Sequence, residues 1–116
     1  MNITLDLPWP PTSNTYWRRN GARYFISNRG QDYREFVSNA CYAYQGLFVA
    51  EDRLRLKIKA YPPDRRKRDL DNLFKSVLDS IQHSGIYVDD SQIDKLSIER
   101  MPEYEGKITV CVELIR

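Results

Sequence analysis

Residues 53 to 60 alternate between basic and apolar side chains, and this alternation constrains the fold more than any other feature of the sequence. The apolar positions are Leu54, Leu56, Ile58 and Ala60, and the basic positions are Arg53, Arg55, Lys57 and Lys59. A period of two residues places the two sets on opposite faces of a β-strand. The chain therefore builds a sheet of which one face is covered by other elements and the other face is basic and solvated.

The remaining patterns predict an α+β fold in which two α-helices pack against a mixed β-sheet. Further strands are predicted at residues 3–7, 93–101 and 107–115. Apolar residues recur every three or four positions from residue 28 to about 45 and again from 70 to 84, which predicts two amphipathic helices. Residues 12–23 are rich in Ser, Asn and Gly and are predicted to form a loop, with brief pairing at 24–26. The resulting order of elements is β-α-β-α-β-β.

Size and composition limit the class of protein. At 116 residues the chain is close to the commonest size of a single domain, so residues 1–116 are expected to form one domain. Two cysteines 70 positions apart and a single histidine exclude a zinc site of three or four Cys and His ligands. No apolar run approaches the roughly 18 to 20 residues that cross a bilayer, and the first seven residues lack a secretory signal pattern. The expected protein is cytoplasmic and has no membrane partner.

The charge of the chain is strongly segregated, although its net value is only +2. Residues 53–68 contain eight basic residues and one acid, a net charge of +7, whereas the other 100 residues carry a net charge of −5. Such segregation is typical of a surface that binds a polyanion. A solvated strand face followed by a basic loop explains the same pattern equally well. A second basic and aromatic cluster, which includes Arg18 and Arg19, lies in the predicted loop at 12–23.

Two aspartates, Asp69 and Asp71, follow the basic run at the start of the second predicted helix, with Asn72 and Lys75 close behind them. Aspartates at this position commonly cap a helix and complement its dipole. Lys75, four residues after Asp71, is also placed to form an ordinary ion pair with it. Two acids beside a polycation are equally the arrangement that a metal-dependent phosphodiesterase needs.

A third acid is expected to reach the same place. The helix at 70–84 rises about 21 Å, at 1.5 Å per residue. An extended segment from Gly85 to Asp90 returns about 17 Å, at 3.3 to 3.4 Å per residue. If the chain turns back at Gly85, Asp90 therefore ends near the start of that helix. We expect Asp69, Asp71 and Asp90 to meet within one subunit, where their oxygens suit Mg²⁺.

Three sequence blocks occur in a characteristic order and spacing along nearly the whole chain. They are Leu7-Pro8-Trp9-Pro10-Pro11 with Asn14, Pro63-Asp64-Arg65-Arg66-Lys67-Arg68-Asp69-Leu70-Asp71-Asn72-Leu73, and Gly85-Ile86-Tyr87-Val88-Asp89-Asp90-Ser91-Gln92. In these blocks the chain resembles the RusA-type Holliday-junction resolvases of bacteria and their prophages. An acidic pair alone is weak evidence, but the combination of the second and third blocks is specific.

The resemblance implies a homodimeric, Mg²⁺-dependent endonuclease that cuts four-way junction DNA symmetrically. It implies that Asp69, Asp71 and Asp90 are the catalytic, metal-binding acids and that Lys75 is a catalytic lysine. Asp89 and Asn72 are candidate accessory residues. Basic side chains are expected to contact DNA phosphates without reading bases. These are Arg65, Arg66, Lys67, Arg68, Lys57, Lys59, Arg18 and Arg19.

Two alternatives remain open at this point. One is a non-catalytic nucleic-acid-binding module whose aspartates are only helix caps, and a divalent-ion requirement for cleavage distinguishes it from an enzyme. The other is a nuclease for flaps or branched DNA that lacks junction symmetry. Nicking of both opposed strands distinguishes a junction resolvase from that nuclease.

Overall fold

The computed structural model describes residues 1–115, which contain a four-stranded sheet, a separate two-stranded hairpin and three α-helices. The sheet strands are β1 (Asn2–Pro8), β4 (Arg53–Tyr61), β5 (Ile93–Arg100) and β6 (Lys107–Ile115). The hairpin strands are β2 (Trp17–Asn20) and β3 (Arg23–Ile26), and the helices are α1 (Ser13–Tyr16), α2 (Asn28–Ala40) and α3 (Phe74–Ser84). The predicted α+β class is confirmed.

The sheet is mixed, as the sequence predicts, with the strand order β1-β6-β4-β5. Strand β4 pairs in parallel with β5 and antiparallel with β6, and β1 pairs antiparallel with β6. The apolar side chains of β4 are buried in one core with Val37 of α2 and with Val77 and Ile81 of α3. Lys57 and Lys59 of β4 are exposed on the opposite face. The alternation in β4 thus leads to one covered and one basic sheet face.

The region predicted as a loop at residues 12–23 is instead α1 followed by the first strand of the hairpin. Strands β2 and β3 pair from Trp17 opposite Ile26 to Asn20 opposite Arg23, around a two-residue turn. Gly21 in that turn has a φ of +63°, which tight hairpin turns require and glycine adopts without strain. The predicted order β-α-β-α-β-β therefore lacks α1 and the hairpin.

Both long helices are shorter than the periodicity predicts. Helix α2 starts at the predicted cap, Ser27, whose Oγ accepts a hydrogen bond from the Gly30 N–H at 3.0 Å. It ends at Ala40, and residues Tyr42–Tyr44 form a separate 3₁₀ turn. Residues Leu70–Leu73 also form a 3₁₀ turn, so α3 begins only at Phe74. A 3₁₀ turn keeps apolar side chains at nearly helical spacing, so periodicity does not distinguish it from an α-helix.

The hairpin is fastened to α2 by a very close backbone approach. A Cβ atom on Gly30 would lie 2.6 Å from the Tyr16 carbonyl oxygen and 2.7 Å from Cγ2 of Ile26. The Ser27 hydroxyl donates a hydrogen bond to the Thr15 carbonyl at the same contact between the hairpin and α2.

No helix within residues 1–115 has the length and apolarity that a membrane span needs.

Candidate metal site and nucleic-acid interface

Asp69 and Asp71 lie on the 3₁₀ turn that precedes α3, and both side chains are exposed. Asp69 occupies the cap position of this turn, but its carboxylate makes no capping hydrogen bond. Within residues 1–115, no ion pair or hydrogen bond engages either carboxylate, and Lys75 does not pair with Asp71. The side chains of these aspartates therefore do not act as helix caps, so that interpretation is wrong. They remain available to a ligand.

The acid-bearing turn is held in place from the N-terminal part of the chain. The Ser13 hydroxyl donates to the Asn72 carbonyl oxygen at 3.1 Å, and the Ser76 hydroxyl donates to the Pro11 carbonyl oxygen at 2.7 Å. These contacts join the Pro-rich block after β1 to the start of α3. The two aspartates therefore project from a fixed turn, although their own side chains are unpartnered.

Asp90 is positioned by contacts with α3 and with a buried tyrosine. The Tyr87 hydroxyl lies 2.8 Å from Oδ1 of Asp90 and 3.0 Å from the Leu78 carbonyl oxygen. Gln82 Oε1 accepts a hydrogen bond from the Asp90 N–H at 2.9 Å. Half-burial raises the pKa of the Asp90 carboxyl, and the hydrogen bond from Tyr87 acts in the opposite direction. Asp90 is thus a fixed and partly desolvated carboxyl group.

The expected convergence of Asp69, Asp71 and Asp90 does not occur within one subunit. The part of the chain that the structure describes contains no group of three or more His, Cys, Asp or Glu residues placed to hold a metal ion. The expected extended return from Gly85 is replaced by bends at residues 86–88, with the Ile86 and Tyr87 side chains buried in the core. Asp90 lies beside α3 at Gln82, whose side chain accepts a hydrogen bond from its N–H, and not at the start of the helix.

The remaining donor set still fits Mg²⁺. This ion is commonly held by one or two carboxylates together with water and substrate phosphates, so a full protein cage is not required. Asp69 and Asp71 supply two free carboxylates of this kind. Lys75, Leu78 and Gln82 share one face of α3, so Asp90, whose N–H is bonded to Gln82, is on the same side of the helix as Lys75.

A basic cluster adjoins the acids, and we call it the basic cradle. Its members are Arg65, Arg66, Lys67, Arg68 and Arg100, which line one cavity. Arg100 donates to the Arg68 carbonyl oxygen, and Asp64 holds the loop through an ion pair with Arg68 at 2.8 Å. Arg100 was not predicted, because it enters the cradle only through the parallel pairing of β5 with β4. Its position at the end of a strand was the only available sequence signal.

The family model described as Endodeoxyribonuclease RusA matches residues 8–113 of the chain. The chain belongs to the RusA endodeoxyribonuclease family. A crossover junction endodeoxyribonuclease rusA of Enterobacteria phage HK97 is 46% identical over 100 residues, which cover 86% of this chain and 83% of that relative. The crossover junction endodeoxyribonuclease RusA of Shigella sonnei strain Ss046 is 36% identical over 103 residues, which cover 89% of this chain and 86% of that relative.

Asp89 has a clear structural role in this RusA-family chain. Its Oδ2 accepts a hydrogen bond from the Ser91 N–H at 2.9 Å, and the Gln92 side chain accepts one from the Asp89 N–H at 3.0 Å. This reciprocal pair is a capping box at the 3₁₀ turn Asp90–Gln92. The hydrogen bonds from Ser91 lower the pKa of the Asp89 carboxyl. The neighbouring acids Asp89 and Asp90 thus have different surroundings.

The other predicted DNA contacts of this RusA-family chain occupy two further surfaces. Lys57 and Lys59 lie on the open face of the sheet, where Lys57 Nζ is 3.2 Å from Oε1 of Glu113. Arg18 and Arg19 lie on the hairpin strand β2 and are exposed. The structure therefore brings together the basic cradle but not all eight of the predicted basic residues.

Lys75 lines a cavity of about 450 Å³ between α3 and the hairpin of this RusA-family fold. The other lining residues are Ser13, Asn14, Trp17 and Tyr24. Asn14 belongs to the first of the sequence blocks, so this cavity brings that block next to Lys75. The aromatic residues Trp17 and Tyr24 were not predicted as part of the site, because the hairpin that carries them was not predicted.

Proposed function

We propose that this protein is a Mg²⁺-dependent endodeoxyribonuclease that resolves four-way DNA junctions by paired symmetric nicks during recombination and repair. The observation that carries the proposal is the pair of unpartnered carboxylates, Asp69 and Asp71, beside the basic cradle. The names of the curated relatives, crossover junction endodeoxyribonucleases, support the same substrate. Residues 1–116 act as one endonuclease domain in the cytoplasm, encoded by a bacterium or by a prophage.

The chain's own residues have distinct tasks in this chemistry. Asp69 and Asp71 would hold the metal. Asp90, which the described part of the chain does not bring into a three-carboxylate group with them, would act from the side of α3 that carries Lys75. Mg²⁺ held there would supply an activated water molecule and would neutralise negative charge at the cleaved phosphate. Lys75, on the helical face next to Asp71, holds a phosphate oxygen at the reacting strand. Asn72 and Asp89 support the turns that carry these acids.

The basic cradle supplies affinity for DNA without reading its sequence. Arginine and lysine contacts to phosphates fix the position of a protein on DNA but carry no direct base information. Arg65 and Lys67 are exposed and free to contact phosphates, whereas Arg68 is engaged with Asp64. Selection of a junction over a duplex therefore depends on the arrangement of the arms relative to the cradle.

Cleavage of a synthetic four-way junction and of a linear duplex, each with Mg²⁺ or with a chelator, tests the proposal. We expect paired nicks in opposed strands of the junction, only with Mg²⁺, and little cutting of the duplex. Cutting of one strand alone would favour a flap or branched-DNA nuclease. Junction binding without cleavage in Mg²⁺ would favour a non-catalytic nucleic-acid-binding module.

The active form is expected to be a homodimer, because paired cuts in a two-fold symmetric junction need two sites related by a closed two-fold axis. Sedimentation at micromolar concentration, with and without junction DNA, measures this state. A stable monomer that still makes paired cuts would contradict the dimer.

Junction affinity is expected to fall steeply with salt, because each Lys or Arg contact with a phosphate releases counterions. Replacing Arg65 and Arg66 together with Ala should reduce the slope of log K against log salt by about two. Arg29→Ala is the control, since this exposed arginine of α2 lies outside both the basic cradle and the open face of the sheet. An unchanged slope in the double variant would place the main phosphate contacts elsewhere, with Arg18 and Arg19 as the next candidates.

A further inference from the structure

The cavity beside Lys75 places that residue next to aromatic and polar groups that the proposed metal chemistry does not use. Its volume of about 450 Å³ lies in the range of small-ligand sites. Trp17 and Tyr24 supply aromatic surface, Asn14 supplies an amide, and Lys75 supplies a positive charge. Tyr24 is 64% exposed, so its ring is not needed to fill the core.

The aromatic groups share one face of the hairpin. Trp17 pairs with Ile26 and Arg19 pairs with Tyr24, two residues along, so these four side chains point to the same side. The Arg19 guanidinium lies 5.5 Å from the centre of the Tyr24 ring. This face therefore presents a row of aromatic and cationic groups, which is the composition of sites that bind single-stranded nucleic acid.

The cavity is rigidly connected to α3. The Trp17 ring packs edge-on against the buried Tyr16 ring, with centroids 5.6 Å apart. The Tyr16 hydroxyl donates to Asp79 of α3, and Arg34 of α2 lies 2.7 Å from the same carboxylate. Ser13, which also lines the cavity, is hydrogen-bonded to the turn that carries Asp71. The distance from the aromatic face to the acids is thus fixed by the fold.

We propose that this cavity receives an unpaired nucleobase from the DNA strand that is cleaved, while Lys75 holds an adjacent phosphate. The inference rests on the proposed function and adds a second element of recognition to it. The base stacks on Tyr24, the more exposed of the two rings, and Asn14 is placed to hydrogen-bond its edge. Stacking of this kind accepts any base, because every base has an aromatic face.

A four-way junction supplies such a base more readily than a linear duplex does. Extraction of a base from DNA costs least where pairing or stacking is already weakened. Base pairs at the branch point are the ones whose stacking is interrupted, so their bases are the easiest to displace. A base site next to the acids therefore favours a branch point over continuous duplex, in addition to the preference that the arrangement of the phosphate contacts supplies.

Thermodynamic coupling between the cavity and individual bases tests the inference. A series of junctions is prepared, each with a single abasic site at a different nucleotide around the branch point. The affinity of each junction is measured in chelator for the wild type and for Tyr24→Ala, Trp17→Ala and Tyr24→Phe. For one abasic position we expect wild-type affinity to fall about 10-fold, the scale of one base stacked on an aromatic ring. The same lesion should change the affinity of Tyr24→Ala by less than about 2-fold, since the stacking partner is already missing.

Two controls separate base binding from other roles. Tyr24→Phe should retain the wild-type coupling because it keeps the ring. Tyr42→Ala should also retain it, since Tyr42 is 76% exposed and lies outside the cavity. Circular dichroism checks the fold of Trp17→Ala, and the more exposed Tyr24 keeps the test decisive if that variant is unstable.

Several results would overturn the inference. Equal loss of affinity from abasic sites in the wild type and in Tyr24→Ala would show that the cavity holds no base. Dissociation of a dimer by Tyr24→Ala, without base coupling, would assign the aromatic face to the subunit contact instead. A wild-type protein without preference for junctions over duplex would overturn the proposed function and this inference with it. Paired cutting with no abasic effect would overturn the inference alone.

Discussion

Asp71→Asn, Asp69→Asn and Asp90→Asn are each expected to reduce junction nicking in Mg²⁺ to background. An amide has the size of a carboxylate but cannot serve as an anionic Mg²⁺ ligand. Metal chemistry of this kind supplies several kcal/mol of transition-state stabilisation, so the expected loss is about 10³-fold or more. Junction binding in chelator should be equal or tighter, because each variant removes a negative charge next to phosphate. Nicking assays and gel-shift affinities measure the two effects.

The Asp90→Asn variant is also expected to unfold at the same temperature as the wild type or at a higher one. The pKa of Asp90 is raised by burial, so the folded state holds the proton more tightly than the unfolded chain does. Ionisation of this carboxyl therefore lowers folding stability as pH rises from the ordinary carboxyl pKa through the raised one. Asn keeps an oxygen that accepts from Tyr87 and avoids this cost. Thermal melting at neutral pH in chelator measures the difference.

Asp89→Asn provides a matched control in the adjacent position. Asn serves as a cap almost as well as Asp, so the capping box and the fold should survive this change. Nicking should remain within a few-fold of wild type, in contrast to the loss at Asp90. Retained nicking in all three of Asp69→Asn, Asp71→Asn and Asp90→Asn, together with lowered melting temperatures, would contradict the catalytic assignment.

Asp79→Ala is expected to cause the largest loss of stability among single polar substitutions in α3. The Asp79 carboxylate accepts from the Tyr16 hydroxyl and from Nε of Arg34 at 2.8 Å. The side chains of Arg34 and Asp79 are only 23% and 25% exposed. Replacing Asp79 with Ala therefore leaves the Arg34 guanidinium and the Tyr16 hydroxyl without this partner in a place that water reaches poorly. Losing hydrogen bonds to a charged group in such surroundings costs about 2 kcal/mol. For a domain of this size, that corresponds to a midpoint about 8 °C lower.

Asp94→Ala is the control for this second prediction. Asp94 forms an ion pair with Arg53, but both side chains are largely in solvent. Exposed pairs contribute little because water screens them and two mobile side chains must be ordered. The melting midpoint of Asp94→Ala should therefore be close to that of the wild type. Equal midpoints for Asp79→Ala and Asp94→Ala would show that the Tyr16–Arg34–Asp79 network does not hold the hairpin against α3.

The parts of the fold that repeat a regular pattern were predictable from the sequence. Alternation in β4 identified the buried and basic faces correctly, and periodicity identified both long helices. The hairpin was missed because its outer residues are polar and aromatic on both faces, so burial leaves no alternating signal. The turn at residues 70–73 was missed because 3₁₀ and α spacing are nearly the same over four residues.

The candidate site was predictable in its residue types but not in its assembly. Asp69, Asp71 and the basic cradle are neighbours in sequence, so their proximity follows from the covalent chain. The predicted position of Asp90 was wrong because it requires an extended segment after Gly85, whereas residues 86–88 form bends. Arg100 and Tyr24 reach the site through strand pairing between distant segments, which no local pattern specifies.

The close approach at Gly30 makes the placement of the hairpin depend on a residue of α2. A side chain at this position would meet the Tyr16 carbonyl oxygen, and any shift of that group moves Trp17, the next residue. A smaller residue at position 26 would relieve only the contact with Cγ2 of Ile26, so it would not make room for a larger residue at position 30. The aromatic face of the cavity thus depends on a residue that contributes no side chain to it.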